Sequence, residues 1–228
     1  MSLRKWLVCL FVMGAGLAVV TTRVWSQDDE GAKKHDKKGG PAGGGMPDMA
    51  QMAEMMKKCE EAAKPGPNHK VLEHFVGEWN AATRMWMDPS MPPMQTAGKS
   101  KSKWVMDGRF VMDEFEGELV MPGPKGEMVK VPFKGMGLTG YDNVKNLYVG
   151  SWVDSMTTGL LTMSGSFNPM TKTLLMFGKM DDLASGVYGK TVRYDTKILG
   201  EDKHVFTIYD CHAGVDYKVM EITYTRAK

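Results

Sequence analysis

The sequence predicts an all-β protein, an up-and-down antiparallel β-barrel of about eight to ten strands preceded by one methionine-rich helix. From Trp79 onward, short runs alternate between apolar and polar residues, which is the period of a β-strand. Turn residues separate these runs and no helical pattern interrupts them, so each strand can pair with the next one through a hairpin. Closure into a barrel is favoured because it leaves no long exposed sheet edge.

Residues 1–26 have the composition of a secretory signal peptide. Arg4 and Lys5 precede an apolar run from Trp6 to Val20, and the Val-Trp-Ser at 24–26 supplies a cleavage site. The run is shorter than the roughly 20 residues that span a bilayer, which favours cleavage over a retained anchor. We therefore expect an exported protein, periplasmic or extracellular, with no integral membrane segment after cleavage.

Export changes the charge balance. Loss of Arg4, Lys5 and Arg23 leaves 26 basic residues against 27 acidic ones, so the formal net charge falls from +2 to −1. The apparent basicity belongs to the targeting segment. The remaining charge gives no reason to expect nucleic acid as a partner.

The segment before the barrel divides into two parts. Residues 27–45 are polar and glycine-rich, with too little apolar surface to offset chain entropy, so we expect a disordered spacer. Residues 46–67 predict a methionine-rich amphipathic helix that ends at Pro-Gly-Pro. Its methionines either pack against a barrel end or a partner, or form a soft-ligand site for Cu(I). The stripe consists of Met46, Met49, Met52, Met55, Met56 and Cys59.

Two cysteines remain after the signal segment, Cys59 and Cys211. In an oxidising compartment they are candidates for one disulfide that ties the helix to the last hairpin. Closing so long a loop stabilises a fold by about 4–5 kcal/mol on the chain-entropy model. Two unpaired thiols are the alternative.

Residues 68–228 form the predicted barrel, and the parity of its strands suggests what faces inward. In the run 99–104 the lysines alternate with residues that face the interior, and Asp107-Gly108 predicts the tight turn that follows. A second strand places Tyr148, Gly150, Trp152 and Asp154 on one face. We interpret the interior as a site for a small apolar ligand. Its predicted lining is Ser100, Ser102, Trp104, Arg109, Tyr148, Trp152, Asp154 and Phe177.

The sequence gives no support for catalysis. It lacks a Gly-x-Ser-x-Gly elbow, a His-Glu-x-x-His pair, a Cys-x-x-Cys pair and a phosphate-binding glycine loop before a helix. Asp154 is the one carboxylate of interest. We expect it either to be perturbed by burial or a cation such as Arg109 or Arg193, or to belong to a paired network at the rim. No metal site and no required cofactor are predicted.

Several motifs occur in a characteristic order. They resemble the domain of unknown function 1579 family of exported bacterial proteins, over about residue 68 to the C-terminus. That family is similar to the lipocalin-like calycin barrels, so the resemblance implies a fold and no activity. The motifs are Phe-Val-Gly-Glu-Trp at 75–79, Met-Asp-Pro-Ser at 87–90 with Pro-Pro at 92–93, Asp-Gly-Arg-Phe at 107–110, Gly-Leu-Thr-Gly-Tyr-Asp-Asn at 137–143, Ser-Trp-Val-Asp-Ser-Met at 151–156 and Met-Glu-Ile-Thr-Tyr-Thr-Arg at 220–226.

The calycin likeness implies a structural latch between the first and last strands. In such barrels a Trp near the start of the first strand packs under an Arg of the last strand and closes one end. Trp79 and Arg226 occupy those places, and Arg226 shares its strand face with Ile222 and Tyr224. A desolvated cation–π contact of this kind contributes about 1–2 kcal/mol.

Two further interpretations stay open. Some ten-stranded relatives of this barrel class hold haem through one histidine on a late strand, and His204 lies on such a strand in step with Phe206 and Ile208. Alternatively, the barrel is solid and serves as a structural or interaction module of the cell envelope, with aromatic residues that only fill it.

Overall fold

The structure, a computed structural model, describes residues 48–88, 90–182 and 186–228. The predicted signal peptide, the spacer and Met46 lie outside these residues. Helix α1 spans Met49–Ala63, α2 spans Pro67–Lys70, and a 3₁₀ helix spans Val71–Phe75. The strands are β1 Gly77–Met85, β2 Met94–Val105, β3 Phe110–Pro122, β4 Met128–Asp142, β5 Leu147–Asp154, β6 Leu161–Asn168, β7 Thr173–Asp182, β8 Val187–Gly200, β9 Lys203–Asp210 and β10 Lys218–Arg226.

These ten strands close into one antiparallel barrel. Each strand pairs with its neighbours in the sequence, and β1 pairs with β10 to complete the ring. On β1 the buried residues are Trp79, Ala81 and Thr83, so side chains at alternate positions face the interior. The up-and-down barrel predicted from alternation and turns is confirmed.

Residues Pro67–Phe75, which we call the plug, occupy one end of the barrel. Leu72 is completely buried and packs among inward-facing residues of β3, β5 and β7. The hydroxyl of Tyr148 donates a hydrogen bond of 2.9 Å to the Asn68 carbonyl, which fixes the plug to β5. The preceding chain is also held, because Arg109 Nε donates to the Ala63 carbonyl at 2.9 Å.

The interior contains two apolar clusters that share Phe206. The plug cluster has as its buried members Leu72, Val111, Tyr148, Leu174, Met176, Val192 and Tyr194, none more than 4% exposed. The distal cluster has three buried members, Ala81, Phe115 and Ile222, and its other members are only partly buried. Those partly buried members are Phe133, Trp152, Phe206, Met220 and Tyr224.

Helix α1 has no buried residue, and four methionines of its stripe are 40–81% exposed. The expected helix is therefore present, but its methionines do not pack into a core. The structure has Cys59 as an exposed free thiol and Cys211 as a half-buried free thiol, which is the alternative of two unpaired cysteines.

No helix within residues 48–88, 90–182 and 186–228 combines the length and the hydrophobicity that a membrane span requires.

Candidate functional site

The distal cluster shares β3, β4, β5 and β9 with the plug cluster and adds residues of β1 and β10. On β3, β4 and β5 its members lie farther from the plug. The β1–β10 register pairs Trp79 with Arg226 beside the plug and Met85 with Met220 at the other end. Met220 and the other partly buried members face inward, yet they keep part of their surface accessible to solvent. The plug cluster also contains partly buried inward-facing residues, among them Trp104, Tyr141 and Phe167.

Glycines on β4 give Trp152 an unusual position. A Cβ atom at Gly135 would overlap the indole of Trp152, and one at Gly137 would lie 3.1 Å from its Cε3. Trp152 is paired with Gly137 across the β4–β5 ladder. The indole therefore lies flat along the inner wall and does not point toward the barrel axis.

Phe115 follows the same arrangement on the neighbouring strands. Its ring occupies the space that side chains at Gly98 and Gly117 would need, with hypothetical Cβ atoms 2.6 Å and 2.9 Å from ring carbons. Phe133 links the two flat rings, because its centroid lies 5.9 Å from that of Phe115 and 6.5 Å from that of Trp152. Three aromatic rings thus form a continuous inner wall.

A polar group adjoins this aromatic wall. The hydroxyls of Ser100 and Ser102 both donate to Oδ1 of Asp113, the latter over 2.7 Å. Both serines are buried, whereas Asp113 is partly exposed. Within the described part of the chain, Oδ2 of Asp113 accepts no hydrogen bond and no cation pairs with this carboxylate.

The electrostatic setting of Asp113 follows from its position inside the barrel. Burial raises the pKa of the Asp113 carboxyl above its usual value, and the two serine hydrogen bonds oppose that rise without cancelling it. Burial, together with the nearby Asp113, also raises the pKa of Tyr224. Tyr224 is therefore a neutral phenol close to the carboxyl group, and its hydroxyl has no hydrogen-bond partner among the described residues.

Asp154 has a positioning role at the end of β5. Its Oδ2 accepts a 3.1 Å hydrogen bond from the indole nitrogen of Trp152. Its Oδ1 accepts the backbone N–H groups of Met156 and Thr157 at 2.9 Å and 3.2 Å. Neither Arg109 nor Arg193 pairs with it, so the expectation of a cationic partner is wrong. Asp154 instead fixes the indole against the wall and shapes the following turn.

A buried ion triad joins β7, β8 and β9. Lys190 Nζ lies 3.0 Å from Asp182 Oδ2 and 2.9 Å from Asp210 Oδ2, and the lysine side chain is almost fully enclosed. Burial lowers the pKa of Lys190, but its hydrogen bonds to the two carboxylates outweigh that effect and raise the pKa. The lysine is therefore charged, and we interpret the triad as a structural tie.

The latch implied by the calycin likeness is present at the plugged end. The guanidinium carbon of Arg226 lies 4.2 Å from the centroid of the Trp79 ring. Arg226 also donates to the carbonyls of Val76 at 3.0 Å and His74 at 3.3 Å. Gly77 has a φ of +128°, and a Cβ there would lie 2.6 Å from Arg226 Nη1, so only glycine fits. The latch thus holds the plug to β10.

His204 contacts the latch residue Trp79 and is surrounded by aromatic rings, which we call the aromatic cage. Its ring centroid is 4.5 Å from Trp79, 4.6 Å from Tyr224, 5.2 Å from Phe75 and 5.3 Å from His74. Burial, with His74 and Arg226 nearby, lowers the pKa of His204 to about 3. Four rings fill the space beside the imidazole that a macrocycle would need, so the residues here do not fit a haem.

The predicted lining residues are distributed over five environments. Ser100 and Ser102 support Asp113, while Trp152 and Asp154 lie in or beside the distal cluster. Trp104 and Tyr148 belong with the plug cluster, so Trp104 and Trp152 are not brought together. Arg109 binds backbone carbonyls outside the plugged end. Phe177 is on the outer face with 45% of its surface exposed, and its assignment to the interior is wrong.

Residues that sequence reasoning missed are the acid and the rest of the aromatic wall. Asp113 has the same parity as Val111 and Phe115 on one strand, and that pattern was a usable signal for an inward acid. Phe133 and Tyr224 likewise alternate with outward-facing neighbours. The glycines against which the Trp152 and Phe115 rings lie could not be recognised from the sequence. Making room for a ring depends on which strand is the neighbour, and the sequence pattern does not show that.

Two surface clefts flank the barrel. One, of about 510 Å³, is lined by Trp86, Gly214 and residues 216–218. The other, of about 380 Å³, lies between Trp104, Gly108 and the start of the plug. Neither cleft includes a residue of the aromatic wall or of the Asp113 group.

Comparison with known proteins adds family membership. None of the curated proteins matches the chain. Among solved structures, a redesigned beta barrel is similar at 10% identity and a TM-score of 0.33, with 71% of this chain and 96% of that one covered. A likeness at that level carries no argument about this protein. The model of the family described as "Protein of unknown function (DUF1579)" matches residues 64–226, so the chain belongs to that family.

Proposed function

We propose that this protein is a non-enzymatic binding protein that holds a small, mainly apolar ligand beside the distal cluster. The observation that carries the proposal is incomplete burial of inward-facing aromatic side chains. Phe133 and Trp152 face the inside of a closed barrel and remain partly exposed. A ligand that packed against these two rings would bring them to the density of a protein core.

The arrangement of the rings supports the same conclusion. Trp152 and Phe115 lie flat on glycines of adjacent strands, which keeps their bulk away from the barrel axis. Barrel diameter grows with the number of strands, and eight strands already enclose enough room for side chains or one small ligand. An apolar, aromatic wall with a few polar groups is typical of small-molecule sites.

The proposal includes export. It rests on the positive and apolar segments of residues 1–26, which have the pattern of a cleaved signal peptide. An exported ligand-holding barrel would act on molecules of the periplasm or the extracellular space.

The haem alternative is not carried forward. It depended on His204, and the aromatic cage around that residue leaves its imidazole enclosed by four neighbouring rings. The proposal would be contradicted if the barrel proved to be solid and to bind no ligand.

The proposal is tested by native mass spectrometry of the purified protein and by calorimetric titration with 1-naphthalenemethanol. We expect saturable binding that weakens about tenfold or more in Trp152→Leu. Phe177→Leu is the matched control, because it removes an aromatic ring from the outer face. Absence of both co-purified ligand and saturable heat contradicts the proposal, as does an equal loss in both variants.

A further inference from the structure

We infer that the ligand carries a protonated amine, which the carboxylate of Asp113 binds at the edge of the aromatic wall. This inference rests on the proposed function and specifies its ligand class: a small apolar amine. The chemistry follows from a carboxylate that has acceptor capacity left and no cation beside it.

The two oxygens of the Asp113 carboxylate differ in the hydrogen bonds that they accept. Both serine hydroxyls donate to the same oxygen, Oδ1, so Ser100 and Ser102 orient the carboxyl group and hold that oxygen in place. The other oxygen, Oδ2, has no partner among the described residues, and Asp113 is partly accessible. A hydrogen-bond donor that enters the barrel therefore has one acceptor presented to it.

The charge of the group selects a cation over a neutral donor. Acids in a protein interior are usually paired with cations, because a buried carboxylate loses the hydration that stabilises its charge. Across the described ranges, no lysine, arginine or histidine pairs with Asp113, although the interior contains such a pairing at Lys190. A ligand ammonium supplies the missing counter-ion, and its charge-assisted hydrogen bond is stronger than that of an alcohol.

The surroundings fit the remainder of such a ligand. Phe115 is two residues from Asp113 on β3, and Gly137, which supports the Trp152 indole, is paired with Asp113 across the β3–β4 ladder. Tyr224 approaches from β10. A cation bound at Oδ2 thus lies beside aromatic faces, which attract ammonium groups as well as apolar surface.

The experiment compares two probes that differ at one group, 1-naphthalenemethylamine and 1-naphthalenemethanol, by calorimetry at neutral pH. We expect the amine to bind about tenfold more tightly, because the ammonium adds the attraction of opposite charges to a hydrogen bond that both probes make with the carboxylate. Asp113→Asn is expected to abolish the preference and to leave binding of the alcohol within about twofold. Glu116→Gln, which changes an acid on the outer face of the same strand, is the matched control and should keep the preference.

A pH series on the unmodified protein gives the same discrimination without a variant. The groups that act on the Asp113 carboxyl are the two serines of β2, Tyr224 of β10 and the neighbouring Glu114. Acidification protonates Asp113, so amine binding should weaken as the pH falls, while alcohol binding should change little. A parallel response of the two probes contradicts the inference.

The outcomes separate the two proposals. If neither probe binds to the unmodified protein, the proposed function is wrong. If both probes bind equally, and Asp113→Asn leaves their ratio unchanged, the barrel holds apolar ligands but the amine inference is wrong.

Discussion

The plug cluster and the distal cluster share β3, β4, β5 and β9 and differ in how their inward side chains are held. On β3, Val111 of the plug cluster is 4% exposed and Phe115 of the distal cluster is 7% exposed, so both are buried. On β5, Tyr148 is buried, and Trp152, four residues later, is partly exposed. The two clusters therefore differ in burial on β5 and not on β3.

Two local features account for the difference. At one end, residues 67–75 insert Leu72 among the inward side chains, and the latch holds that segment in place. At the other end, inward glycines let aromatic rings lie flat along the wall. On the proposed function, the plugged half supplies stability and the distal half holds the ligand.

The largest expected effect concerns pH and the plugged end. His204 has a folded-state pKa of about 3 against an ordinary value of 6.5, because burial favours its neutral form. The unfolded chain takes up a proton between those values and the folded protein does not, so stability is complete above pH 6.5 and is lost as the pH falls toward 3. The total is on the order of 5 kcal/mol.

Urea unfolding at several pH values measures this dependence. His204→Phe should flatten the profile, whereas His212→Gln, at an exposed position, should leave it unchanged. Parallel profiles for His204→Phe and the unmodified protein would show that the aromatic cage does not hold a neutral histidine.

The next largest effect is expected from truncation inside the plug. Leu72→Ala should lower the free energy of unfolding by about 3 kcal/mol, because it leaves a cavity around a fully buried side chain. Leu160→Ala, at a position that is 66% exposed, should cost less than about 0.5 kcal/mol. Equal costs for the two variants in urea unfolding would remove the stabilising role of the plug.

A smaller effect is expected from the latch. Arg226→Met should lower the free energy of unfolding by about 2 kcal/mol. The substitution removes the stacking on Trp79 and the hydrogen bonds to the carbonyls of Val76 and His74. Arg84→Met, which removes a guanidinium from the outer face, should have little effect on the same unfolding curves. If the two substitutions lower the free energy of unfolding equally, the latch does not stabilise the plugged end of the barrel.

The smallest stability effect is expected in the distal cluster. Phe133→Leu should cost less than about 1.5 kcal/mol, because Phe133 is only partly buried and the replacement stays apolar. The same variant should weaken binding of 1-naphthalenemethanol. A large loss of stability with unchanged binding would place Phe133 in the packing core and erase the contrast between the two halves.

The barrel was predicted from local patterns in the sequence, whereas the latch was implied by the calycin likeness and agreed with strand parity. Alternation and turn residues set the ten hairpin-connected strands, and parity placed Trp79 and Arg226 on inner faces. The sequence did not predict the burial of the plug. It is a short segment whose apolar residues include Leu72 and Phe75, and its burial is decided by the barrel that surrounds it.

The candidate site was predicted only in part. Parity identifies inward residues but not their depth along the barrel, so Trp104 and Trp152 were expected together and lie in different clusters. Asp113 was missed although its strand alternates clearly. Phe177 was placed inside, yet β7 turns Leu174 and Met176 inward and Phe177 outward.

Methionine methyl NMR tests the central claim most directly. Met220 lies in the distal cluster and Met176 in the plug cluster, and Met220→Leu and Met176→Leu assign their signals. On titration with 1-naphthalenemethanol we expect the Met220 methyl resonance to shift saturably and the Met176 resonance to stay in place. A Met176 shift as large as that of Met220, or no saturable shift at Met220, would contradict a ligand site in the distal half.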